Sequence, residues 1–506
     1  MRTKNTINNA MFSFISMIVN TALNFGYRTV LIYILGVEYL GISAFFANVL
    51  MLLSLGELGI GQAISYSLYK PLANNDKEKI NTLVNVYRKA YKYIGFSIVI
   101  FSFLLMPLLP KLIEVSISNY ELNSIFSIYV LISALSYFWG YKRTLIIADQ
   151  KAYKIVPIVI SLQIVDICVR ILILWMTSNF VMALVAQLLC RLLENILVNN
   201  YIDKEYGYLN REYQPLRRLE LKKIIINVKA MMFHKVGDFV VNGTDNIVIS
   251  VFVGVSMLGM YSNYSMLTTI VFTFGVTLFN AVTATMGNII AKESINESEE
   301  KTELLNYISF WLFGFTSITL YILLPPFIEL WLGSELSVSN DIVIALCFNH
   351  FITGIRVPLG VVKSAAGIYK QDQYAPIIQG FINLGVSLLL VHYYGLLGVL
   401  IGTIVSGLLV PNWYRPYILY KYLFKKTVKS YFIQVIKLTL AVVVALATTL
   451  ILIDNISYFE SDFERFLVLI TICIFIPNIT LALLTFKTKE FCYLRHKIFK
   501  SNNYQS

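Results

Sequence analysis

Apolar residues fill this chain in long runs, separated by short polar connections. A membrane-crossing helix needs about 20 mainly apolar residues. Candidate spans run over 10–34, 40–66, 93–112, 122–145, 155–176, 180–200, 229–252, 258–288, 306–328, 341–363, 374–393, 396–420, 431–453 and 464–486. The pattern predicts an all-α integral membrane protein with about fourteen transmembrane helices. Arg2 and Lys4 precede the first run, as in a signal peptide. That run is too long for a signal h-region and ends in no small-residue cleavage site, so it reads as a retained span.

The connections orient the spans, because Lys and Arg collect on the cytoplasmic side. Alternate connections are strongly basic. Residues 67–92 carry Lys70, Lys77, Lys79, Arg88, Lys89 and Lys92, and residues 201–228 carry Arg211, Arg217, Arg218, Lys222 and Lys223. Further basic connections hold Lys142, Arg143, Lys151 and Lys154, then Arg415, Lys421, Lys425, Lys426 and Lys429. Between them lie connections marked by Glu38, by Glu114 and Glu121, by Glu329 and Glu335, and by Asp454 and Asp462. One inner connection is acidic, around Glu293 to Glu303, but acidic residues weigh little in orientation. Both termini are predicted to be cytoplasmic.

The chain repeats itself weakly at a period near 218 residues. Gly36-Val37-Glu38-Tyr39-Leu40-Gly41 matches Gly254-Val255-Ser256-Met257-Leu258-Gly259. At the same offset Asn20 falls on Asp238, Asn24 on Asn242 and Arg28 on Asn246. The predicted organisation is a first lobe of six spans at 1–200, a cytoplasmic linker at 201–228, and a second six-span lobe at 229–422. Spans 13 and 14 with a cytoplasmic tail fill 423–506. Six spans per copy gives both copies one orientation, which predicts a parallel repeat about an axis along the membrane normal.

Asn20, Asn24 and Arg28 are spaced by four and share one helix face. Span 7 repeats the stripe with His234, Asp238 and Asn242, and adds Lys235 and Asp245. Polar groups in a span face the protein interior or a water-filled cavity, so the two stripes are expected to line a central cavity. Asp166 with Arg170, and Arg191 with Glu194, have the spacing of self-neutralising pairs on one helix. Glu57 is either a cavity acid or a partner of Arg28. Arg356 has no acidic neighbour in its span, and neither has Arg28. Each reads as a contact for an anionic ligand, since guanidinium suits phosphate, or as an interhelical partner of Asp238, Asp245 or Glu57. Lys363 sits near the cytoplasmic end of span 10, where it could reach the interface or serve the cavity or ion coupling.

Composition supports this picture. The 506 residues are 57% hydrophobic and only 14% charged, against about 25% charged in a soluble domain. The net charge of +12 is accounted for by inner connections and needs no nucleic acid. Cys168, Cys190, Cys347, Cys473 and Cys492 form no CxxC pair, and the four histidines lack metal-ligand spacing. No nucleotide-binding loop, zinc signature or nucleophile elbow is present, so no catalytic residue or cofactor is expected. Transport would draw on a Na+ or H+ gradient, the membrane potential, or the substrate's own gradient. A membrane-embedded polymerase or glycosyltransferase would need a sizeable catalytic loop, and the outer loops here are short.

Fourteen spans, a duplicated six-helix half and two trailing helices resemble the multidrug/oligosaccharidyl-lipid/polysaccharide exporter superfamily. Leu35-Gly36-Val37-Glu38-Tyr39-Leu40-Gly41, followed by Leu55-Gly56-Glu57-Leu58-Gly59-Ile60-Gly61, is similar to the opening of bacterial polysaccharide repeat-unit flippases of the Wzx type. The resemblance implies a bacterial plasma-membrane protein that moves undecaprenyl-diphosphate-linked oligosaccharide from the inner to the outer leaflet, alongside other polysaccharide-assembly membrane proteins. It places Arg28 where related flippases carry cavity arginines. Lipid II flippases carry several basic residues on that helix, where this chain has Arg28 alone. A cation-coupled drug antiporter of the same fold is the alternative, favoured by Asp238 and Asp245.

Overall fold

The computed structural model describes residues 2–500 apart from 55–59, 210–221, 223, 226, 227, 229–235, 238, 242, 369 and 457–460. Among the described residues every regular element is helical. The principal helices are α1 (Arg2–Leu35), α2 (Val37–Leu53), α3 (Ile60–Ala73), α4 (Lys77–Leu105), α5 (Asn119–Ala148), α6 (Val156–Thr177) and α7 (Phe180–Glu205). There follow α8 (Thr244–Phe252), α9 (Val255–Ala281), α10 (Thr283–Lys292), α11 (Ile295–Leu332), α12 (Asn340–Gly354) and α13 (Val357–Ala365). The last are α14 (Ala375–Tyr394), α15 (Leu396–Leu409), α16 (Pro411–Leu419), α17 (Lys429–Asp454), α18 (Asp462–Thr485) and α19 (Lys489–Lys500).

Among the described residues twelve helical stretches are long and apolar enough to cross a membrane. The chain is a multi-pass membrane protein, and large apolar side chains stand exposed along these helices, such as Phe103, Trp175 and Leu389. In a bilayer that surface meets lipid rather than water. The expected span at 40–66 is not continuous among the described residues. Helix α2 stops after 17 residues. Its Ser54 hydroxyl bonds back to Met51 O at 2.9 Å, a local bond that competes with helix continuation, and three glycines follow within seven residues. The expected span at 229–252 lies partly outside the described residues, at 229–235, 238 and 242, and α8 covers its end. Fourteen is therefore the sequence expectation, and twelve is what the described helices support.

Residues 67–92, read from their charge as a loop, are mostly helix. Asp76 caps α4 by accepting from Lys79 N at 3.0 Å. The basic residues after it ride on a helical extension of the following span.

The chain divides into two compact units, Met1–Gly259 and Met260–Ser506. In the first, α1 packs on α6, α5 on α4 and α7, and α2 on α8. Ile64, Leu83, Tyr87, Tyr141, Leu145 and Val198 centre one of its buried clusters. In the second, α14 and α15 form a tight hairpin, and α11 packs against α12, α17 and α18. Phe310, Phe351, Leu438, Val442 and Leu481 join those helices in one core.

Candidate functional site

Helix α1 keeps Asn20, Asn24 and Arg28 on one face, as their spacing predicts. The amides are partly spent within the helix: Asn24 donates to Asn20 O at 2.8 Å, and Asn20 Nδ2 lies 3.3 Å from Ser16 Oγ. Arg28 is half-buried. Beside it, Tyr27 is covered by the Arg170 guanidinium, 4.1 Å from the ring centroid. Arg170 also grips Asp166 through two bonds, at 3.1 and 2.8 Å. That pair is the neutral i,i+4 bridge its spacing predicts, and it ties α6 to α1 through a cation–π contact.

Glu194 is 3% exposed and holds two arginines. Arg191 reaches one carboxylate oxygen at 2.8 Å, and Arg143 of α5 reaches the other at 2.8 Å and Asn195 at 3.1 Å. The 191–194 spacing announced the first pair. Arg143 lies 51 residues away on another helix, and nothing local in the sequence marks it as the third member. Asp245 is buried in the first turn of α8, where the helix N-terminus favours negative charge. Glu57, His234, Lys235, Asp238 and Asn242 lie outside the described residues.

The second unit holds Arg356 at the break between α12 and α13, with Pro358 opening the new helix. Proline lacks the N–H that would continue α12. Arg356 Nη1 lies 3.4 Å from Asn412 Oδ1, while Asn412 Nδ2 donates to Ile352 O at 3.1 Å. Among the described residues no carboxylate pairs with Arg356. Its side chain lines a cavity of about 260 Å³ with Asn412, Trp413, Tyr431 and Phe432. An apolar cavity of about 290 Å³, walled by α11, α12 and α17, adjoins it and shares Phe348, Phe351 and Thr439. Asn412 was invisible to sequence reasoning because it comes from α16. Lys363, read as reaching the interface or serving the cavity or ion coupling, forms an ion pair with Asp372 across the turn after α13. Sequence distance hid that partner too, since the turn lies beyond the end of the span.

A second polar network ties down the connections around residues 149–154. Lys154 and Lys151 both reach Glu205 Oε1, at 2.8 and 3.2 Å. The hydrogen bond to Glu205 raises the Lys154 ammonium above its ordinary value. Burial, and then the bond to Asp149, push the Tyr206 phenol well up. Among the described residues no group of three or more His, Cys, Asp or Glu could hold a metal ion.

No protein-family model matches the chain, and no curated protein matches its sequence. Solved structures share its fold. The lipid II flippase MurJ in an inward closed conformation matches with a TM-score of 0.71 at 15% identity, over 94% of this chain and 98% of that one. An inward-facing multidrug resistance MATE family transporter of the MOP superfamily gives 0.62 at 16% identity, over 77% and 92%. The MATE multidrug transporter DinF-BH gives 0.57 at 16% identity, over 83% and 96%. The chain thus has the fold of MOP-type membrane flippases and transporters. These neighbours are transport proteins rather than enzymes.

Proposed function

We propose that this protein is a flippase for polyprenyl-diphosphate-linked oligosaccharide. It moves repeat units from the inner to the outer leaflet of a bacterial plasma membrane by alternating access, for assembly of cell-surface polysaccharide. In this reading α2 and the partly described seventh span complete fourteen crossings, and both termini are cytoplasmic. One observation carries the reading: Arg356 is a guanidinium at a helix break inside the apolar zone, set in a cavity with an amide and aromatic rings, with no carboxylate among the described residues to neutralise it. Charged groups in a span are expensive, and a fixed cation suits an anionic head group. A diphosphate burying its charge without such partners would meet a barrier of many kcal/mol. Arg28 supplies a second cation in the first unit. The flippase neighbour supports a lipid-linked substrate. The MATE neighbours, with the buried Asp245, support cation-coupled drug efflux as the second reading.

Deleting the gene and analysing lipid-linked sugars separates the two. Flipping predicts repeat units trapped on the cytoplasmic leaflet, restored by wild type and not by Arg356→Ala of equal abundance. Normal surface polysaccharide with increased drug sensitivity would replace this reading with efflux.

A further inference from the structure

The second unit buries an imidazole that the Arg356 cavity does not use. His350 lies on α12 and is 5% exposed. Phe272 of α9 and Phe313 of α11 pack against it, with centroids 5.9 and 5.5 Å away. Its Nε2 lies 3.0 Å from Thr316 Oγ1. The hydroxyl hydrogen of Thr316 is directed to Leu312 O at 2.9 Å, so Thr316 accepts from the ring. His350 therefore donates through Nε2, and Nδ1 carries the lone pair in the neutral ring. No described residue bonds Nδ1. A basic nitrogen is thus held unoccupied in a site where an intramembrane titratable group is a candidate for ion movement.

The ring also sits close to the break between α12 and α13. Helix α12 ends at Gly354, four residues further on. Gly354 presses on Phe313, the ring that also packs against His350: a Cβ there would lie 2.1 Å from Phe313. Ser309 Oγ donates to Gly354 O at 2.9 Å across the same joint. Arg356 follows at the break. We propose that His350 Nδ1 binds the proton that couples to transport, and that its protonation shifts the break between α12 and α13 and with it Arg356.

The charge argument is local. From α9 and α11 the groups against the ring are Phe272, Phe313 and Thr316, none of them titratable or charged in this range. On its own helix the titratable neighbour is Cys347, and Arg356 lies six residues on, about 9 Å along the axis. An imidazolium in the aromatic pocket lacks compensation, so proton uptake at Nδ1 favours a repacked joint. It also opposes the Arg356 charge, so an anion on Arg356 favours the proton, and the proton favours the anion by the same factor. This deepens the transport reading by naming its coupling ion.

The test needs no transported lipid, so its failure and the failure of the flippase reading are separate. Hydrogen–deuterium exchange of the full protein in nanodiscs, corrected for intrinsic rates, follows the 345–365 segment between pH 3.5 and 7.5. Exchange in wild type should rise at least about threefold toward the acid end. His350→Gln should show no such change, and Thr316→Val, which removes an acceptor that stabilises the imidazolium, should move the midpoint to lower pH. Equal pH dependence in wild type and His350→Gln would overturn the proposal. Should His350→Gln fail to fold, an unmoved midpoint in Thr316→Val would do the same.

Discussion

Gly41 and Val255 meet so closely that a Cβ on Gly41 would lie 1.9 Å from Val255 O. The reciprocal contact also exists: a Cβ on Gly259 would lie 2.3 Å from Val37 O. Gly41 matches Gly259, and Val37 matches Val255, at the repeat offset read from the sequence. The pair of contacts is what a local twofold produces, each copy's valine carbonyl resting on the other copy's glycine. Gly36 and Gly254, which open the two segments, share a positive φ of 90° and 119°, a backbone that favours glycine. The two segments thus share a backbone conformation as well as residue type.

Alanine at Gly41 or Gly259 should consequently destabilise the protein, each by at least the 1–3 kcal/mol typical of overpacking, because the obstacle is backbone. Gly26 is the control. It lies within α1 with nothing inside 4 Å of a built Cβ, and alanine there should hold or raise stability by up to about 1 kcal/mol through helix propensity. Thermal unfolding followed by tryptophan fluorescence in one detergent checks the contrast. A Gly41→Ala protein that melts with wild type would remove the close contact.

How much of this is legible in the sequence depends on whether a partner is local. The stripe Asn20–Asn24–Arg28 and the pairs 166–170 and 191–194 follow from helical spacing, and the structure contains all three. Arg143, Asn412 and Asp372 come from other elements, so the triad at Glu194, the amide at Arg356 and the pairing of Lys363 could not be read. Hydropathy locates the apolar part of each crossing but not its helical continuation beyond that part, so charge alone makes residues 77–92 look like a loop. The span at 40–66 is described only as α2 and the start of α3, because residues 55–59 between them lie outside the described residues.

The Glu194 triad gives an asymmetric prediction. Glu194→Ala leaves two arginines facing each other, and breaking a buried pair costs about 3–5 kcal/mol. The arginine side chains are 27% and 38% exposed, which places the effect near the lower bound. Arg191→Ala leaves Glu194 paired with Arg143, which Asn195 also holds, and should cost less than half as much. Comparable losses in the two variants, measured as the shift in apparent melting temperature with salt held fixed, would contradict the shared carboxylate.

In the first unit, Asn9 joins α1 to the turn before α6. Its Nδ2 donates to Gln150 O at 2.9 Å, and its Oδ1 accepts from Tyr153 N at 2.9 Å. Both bonds use backbone groups of a turn in which Gln150 has φ 59°. Asn9→Ala removes both, so exchange of the 149–154 amides should accelerate about five- to thirtyfold, the equivalent of 1–2 kcal/mol. Asn9→Asp should recover part of the protection, because its carboxylate still accepts from Tyr153 N while the bond to Gln150 O is lost.

The Arg356 cavity separates charge from geometry. Arg356→Lys keeps a cation but loses the planar fork that binds phosphate in two directions. Arg356→Gln keeps a polar group but removes the charge. If the cavity recognises a phosphorylated head group, export of lipid-linked sugar should fall at least tenfold in Arg356→Gln and by a smaller factor in Arg356→Lys, the tenfold step corresponding to about 1.4 kcal/mol. Asn412→Asp supplies the discriminating control. It places a carboxylate 3.4 Å from the guanidinium in the present geometry, so it should stabilise the fold while blocking an anionic substrate. An Asn412→Asp protein with a higher melting temperature and full export would show that Arg356 is a structural cation, because neutralising it would then have cost the transport cycle nothing.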